Sequence, residues 1–153
     1  MKPALPPIVF LLLLAGSLCL SGSPEDAGSY SYNISLVLDS SRYRPGDEAT
    51  LTIINGGDKT LLVGPDYELY RLENEGWERV NTGLTFTMIG YEIAPGSSWS
   101  QTVRLVVVKG EGTIRTIEPL PPGRYRIAKT VMIENTQGRE GELTLSAEFE
   151  IVG

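Results

Sequence analysis

The 153-residue sequence has no histidine and a single cysteine, Cys19. Without histidine it lacks the commonest general base and the commonest metal ligand, which excludes triad hydrolysis and most metallohydrolase chemistry. One cysteine cannot close an intrachain disulfide. Basic residues are few, 13 against 19 acidic ones, for a formal net charge of −6. Nucleic-acid affinity rests on Lys and Arg neutralising phosphates, so nucleic acid is not an expected partner. A polybasic membrane-surface role is equally unsupported. Beyond Leu20 no apolar run approaches spanning length, and no window of eleven or more residues carries a helical period. What remains is a hydrophobic fraction of 41%, enough for a packed core, in a chain of single-domain length.

Residues 1–22 read as a targeting segment. Lys2 supplies a small positive start, Ile8 to Leu20 is almost wholly apolar, and small residues follow. That order is expected of a signal peptide, or of an anchor if it is retained. Cys19 is a candidate lipidation site, but Leu18 stands where a lipoprotein signal needs a small residue. The plainer reading makes Cys19 one more apolar residue of the segment. Residues 23–30 read as a short polar linker and 31–153 as one domain. The expected location is extracytoplasmic, with membrane contact only through the N-terminal segment.

From residue 31 the chain runs in short period-two stretches broken by turn residues. Ala49, Leu51 and Ile53 alternate with Thr50 and Thr52, and Leu143, Leu145, Ala147, Phe149 and Ile151 alternate with polar residues. Asn55–Asp58 (NGGD) reads as a hairpin turn, Thr85 to Ile93 as a strand, and Glu134 to Glu142 as the last hairpin. Eight or nine such strands, each with one apolar and one polar face, predict an all-β, immunoglobulin-like antiparallel β-sandwich. In LPPGRYRI, Tyr125 follows Pro122-Gly123 where such sandwiches carry a tyrosine whose hydroxyl bonds back to the preceding corner. Trp99 or Trp77 is the expected central aromatic.

Four stretches, YRPGDEATLTIINGGDKTLLVGPDYELYRLENEGWERV (43–80), FTMIGYEIAPGSS (86–98), PLPPGRYRIAKTV (119–131) and LSAEFEIV (145–152), carry a resemblance. With its G-x-x-Y-x-L, G-x-W and P-G-x-Y-R-I-x-K elements, the chain resembles a bacterial immunoglobulin-like domain family of exported proteins. The resemblance implies an Ig-like sandwich delivered out of the cytoplasm and implies no catalytic or ligand site.

Candidate site residues are few. Asn33-Ile34-Ser35 is a glycosylation sequon, with Asn33 on the outward face of a strand, although such tripeptides are common by chance. Lys129 shares the inward parity of Tyr125 and Ile127, so it must snorkel, neutralise or find a carboxylate. Glu68, or else Glu92, is the expected partner, giving a structural ion pair; the functional alternative is an anion site with Arg124 and Arg126. Glu148 and Glu150 share a strand face but have no facing cleft, so they read as solvated acids. Asp58, Asp66 and Glu68 lie near turns without the D-x-D-x-D-G spacing of a calcium loop. Tyr43, Tyr67, Tyr70 and Tyr91 suit either an interface or half-buried packing. No catalytic residue, metal ligand or cofactor is expected. The function expected is therefore a non-enzymatic binding or structural module at the cell surface or outside the cell, its partner a protein or an envelope glycan. The alternative is a protease inhibitor acting through loops at 81–85, 109–113 and 134–142.

Overall fold

The computed structural model describes residues 33–135 and 138–153. The expected targeting segment, its Cys19 and the linker lie outside them. The described residues form twelve strands, numbered here in chain order, and no helix.

One sheet has the order β1 (Ile34–Leu38), β3 (Glu48–Asn55), β8 (Ser98–Arg104). The larger sheet runs β2 (Arg42–Tyr43), β12 (Gly138–Ile151), β11 (Gly123–Asn135), then β4 (Leu61–Val63) and β7 (Tyr91–Ile93). In that sheet β5 (Glu68–Glu73) also pairs with β11, and β6 (Gly76–Arg79) pairs with β5. A separate ribbon joins β9 (Val106–Lys109) to β10 (Thr116–Pro119). All pairings are antiparallel except β2 with β12. The architecture is the immunoglobulin-like β-sandwich.

Alternation explains the core. Ala49, Leu51 and Ile53 of β3 meet Tyr125, Ile127, Val131 and Ile133 of β11, and all are buried. Burying such a side chain is worth about 1.5–3 kcal/mol, so a dozen of them anchor the two layers. Phe149 lies between two tyrosines, edge-on to Tyr43 and stacked on Tyr125, each at 5.6 Å between ring centres. Trp99 packs against this core, whereas Trp77 lies under the Arg126 guanidinium, 4.3 Å away.

Two sequence expectations change here. NGGD is not a hairpin: β3 and β4 belong to different sheets, so the chain crosses the sandwich at that point. The buried Asn55 fastens the crossing, its amide donating to the carbonyls of Lys59 (2.8 Å) and Ile93 (2.9 Å). The strand expected over Thr85–Ile93 is laddered only from Tyr91, because none of the described residues pairs with its first half.

Strand β11 divides its inner edge between two partners. Tyr125–Ala128 pair with β5, and Val131–Ile133 pair with β4. Lys129 and Thr130 fall in the gap, opposite the connection through Gly64, Pro65 and Asp66. Proline has no N–H to give, so the ladder breaks there and leaves carbonyls to be satisfied by other means.

Candidate functional site

Lys129 supplies those means. Its side chain points inward and the residue is 2% exposed. The ammonium donates to the Gly64 and Asp66 carbonyls, both at 2.6 Å. From the facing sheet the Gln101 amide donates to the carbonyl between them, that of Pro65, at 2.8 Å. Three successive carbonyls of one bend are thus held by side chains of both layers. Burial pulls the Lys129 ammonium down to about 8, against the opposing effect of the Asp66 carboxylate.

Glu68 is not the partner of Lys129. It stands opposite Ala128 in the β5–β11 ladder, and cross-strand neighbours share a face, so it points to the side that Lys129 leaves. There Glu68 pairs with Arg79 at 3.2 Å and accepts the Tyr70 hydroxyl. Glu92 stands opposite Leu62 and is exposed. Sequence reasoning sought a charge for Lys129 because main-chain acceptors leave no mark in a side-chain pattern.

The other candidates have local roles. The Tyr125 hydroxyl donates to the Pro121 carbonyl at 2.6 Å, and Arg71 donates to the next carbonyl, Pro122, at 3.0 Å. Asn33 is exposed just ahead of β1; its carbonyl accepts the Gly56 N–H at 2.7 Å. Its amide lies so close to Gly56 that a Cβ there would sit 2.7 Å from Nδ2. Arg124 and Arg126 both reach Glu148, at 3.5 and 2.9 Å, and Arg42 reaches Glu150 at 3.5 Å. That pairing consumes the basic cluster and the two acids together. Among the described residues no group of three or more His, Cys, Asp or Glu is placed to hold a metal ion. Segment 134–142 is mostly ladder rather than loop, since β11 runs to Asn135 and β12 starts at Gly138.

The feature that sequence reasoning missed lies on the outer face of the larger sheet. A groove of about 470 Å³ is lined by Leu62, Phe86, Met88, Ile89 and Met132, with Asp66 and Thr130 at its side. Met88 is 104% exposed and Ile89 51%. Adjacent residues of a paired strand point to opposite faces, and these two are both in solvent because 80–90 has no ladder. The register sets one row across four strands: Glu92, Leu62, Met132, Glu142. Two apolar residues therefore sit between two carboxylates. The only trace of this in the sequence is the consecutive apolar pair Met88-Ile89.

Comparison with known proteins gives a match over residues 31–150 to the family described as Bacterial Ig-like domain. No curated protein matches the chain. Among solved structures, a Bordetella pertussis protein designated ApaA is 21% identical, covering 78% of this chain and 93% of its own, with a TM-score of 0.48. The structural-genomics target SoR45 is 16% identical, covering 77% and 84%, with a TM-score of 0.47. The PapD-like domain 7 of human CEP192 is 12% identical, covering 77% and 85%, with a TM-score of 0.34. Likenesses of this order say nothing about activity.

Proposed function

This chain belongs to the bacterial Ig-like domain family, and from that premise we propose that it is an exported, non-enzymatic binding module whose contact surface is the groove beside Phe86–Ile89. The observation that carries the reading is the exposure of Met88 and Ile89 over an apolar floor of Leu62 and Met132. Single exposed apolar residues are ordinary on a protein surface, but a contiguous set lining a concavity marks a contact site. Methionine suits such a site because its unbranched, polarizable side chain adapts to a partner. The apolar stretch within residues 1–22 supports export.

Fractionation of the native host, carried out with the wild-type chain and with Met88→Asp, tests both halves. The expected result is an extracytoplasmic protein that crosslinks saturably to an envelope component, with crosslinking lost in the variant. Recovery among cytosolic proteins overturns export. Equal crosslinking of the two forms overturns the groove as the contact surface.

A further inference from the structure

We propose that the groove takes an extended segment of a partner protein, laid along Phe86–Ile89 as an added strand, with apolar side chains alternating with basic ones; this rests on the binding-module reading above. Three observations converge on that occupant.

The first is the backbone. Residues 80–90 run without turn, bend or ladder, and among the described residues the peptide groups of 86–89 form none of the main-chain bonds found in the sandwich's turns and connections. The ladder of β7 with β4 stops at Tyr91 and Val63, so the chain before it presents an unused edge. An extended peptide laid there would take up those groups, and every second side chain would point the same way.

The second is the floor. Those alternate side chains would meet Leu62, Met132 and Phe86, with Met88 and Ile89 closing over them. Burial of apolar surface supplies the drive, and main-chain bonds supply the direction.

The third is charge. Glu92 and Glu142 end the row that crosses the floor, and Asp66 lines its side. Glu68, Glu148 and Glu150 are neutralised by arginines, whereas Glu92 and Glu142 make no ion pair among the described residues. With a net charge of −6 on the whole chain, the field at the groove favours a cationic guest. The same field opposes a second copy of this chain and an anionic lipid surface.

The test uses the protein purified from its native host and a labelled decapeptide alternating Val with Lys, beside its Val/Glu counterpart. The expected result is saturable binding of the Val/Lys peptide, at least about tenfold tighter than the Val/Glu peptide at low salt. Binding should slow hydrogen exchange at the amides of 86–89. The double variant Glu92→Gln, Glu142→Gln should keep its melting temperature and lose most of that preference. Equal binding of both peptides, or no binding by a protein whose melting shows it folded, overturns the proposal. So does self-association that Met88→Asp abolishes, or binding to phosphatidylglycerol vesicles without peptide binding. If the peptides fail while Met88→Asp still abolishes envelope crosslinking, the peptide class is wrong and the binding-module reading stands; if both fail, both are wrong.

Discussion

The ammonium of Lys129 lies 5.2 Å from the centre of the Trp99 ring, so a cation carried by one sheet is capped by an aromatic face of the other. Two of its protons go to the Gly64 and Asp66 carbonyls, which leaves the third for the indole. A buried lysine that makes no ion pair among the described residues is therefore fully engaged.

Replacing Lys129 should destabilise the fold through the acceptors it leaves behind. In Lys129→Met the aliphatic volume is kept but two carbonyls lose their donor, each worth about 1–3 kcal/mol when stranded. Relief from burying a charge offsets part of this, so a net loss of about 2 kcal/mol is expected. Lys129→Ala adds a cavity and should cost roughly 2 kcal/mol more. Urea midpoints at an unchanged denaturant slope would read both values.

The same residue gives the stability a pH dependence. Its ammonium titrates near 8 when folded against 10.5 when unfolded, chiefly through burial. Between those values the unfolded chain binds the extra proton, so stability rises as pH increases from 8 towards 10. The gain is on the order of 1–3 kcal/mol, and a neutral amine still has two N–H groups for its two carbonyls. Above 10 the trend reverses, because burial raises the Tyr67 and Tyr125 hydroxyls and the unfolded chain loses those protons first. Urea titrations at pH 7 and pH 9.5 should show the rise in the wild type and not in Lys129→Met.

The layered fold was legible because alternation records which face of a strand is buried, as in β3, where Ala49, Leu51 and Ile53 are inside. Alternation does not record what lies alongside a strand. That is why Thr85–Ile93 looked like one paired strand, and why NGGD looked like a hairpin between strands that occupy different sheets. Register explains the mistaken pair as well: Glu68 lies opposite Ala128, one residue from Lys129 and hence on the wrong face. The groove depends on an unfilled edge, a property of three-dimensional neighbours that no local pattern carries.

Tyr125→Phe should lose the 2.6 Å bond to Pro121 while keeping the ring stacked on Phe149. One neutral hydrogen bond contributes about 1 kcal/mol, and the exposed Pro121 can recover water. The expected loss is therefore about 1 kcal/mol, seen as a lower melting temperature with the far-ultraviolet dichroism of the folded state unchanged.

Two glycines with positive φ should respond differently to alanine. At Gly83 (φ 64°) a Cβ would sit 2.3 Å from the Val108 carbonyl oxygen, whereas at Gly46 (φ 93°) it meets nothing within 4 Å. Gly46→Ala should cost only the backbone penalty, about 1 kcal/mol. Gly83→Ala must also push the 82–84 segment off β9, breaking the 2.7 Å bond from Val108 N–H to the Thr82 carbonyl. A loss of more than about 2 kcal/mol in parallel thermal melts is expected there.

The parallel pairing of β2 with β12 joins Arg42 and Tyr43 to Glu150 and Ile151, near opposite ends of the described chain. The seam can form only once Glu150 and Ile151 have been made, more than a hundred residues after Tyr43. Until then β11 has no β12 at its side, and Tyr43 waits for Phe149. Closure of this sheet therefore waits on the last strand, and a nascent chain stalled before Gly138 would leave the thirteen residues of β11 without the neighbour on one side.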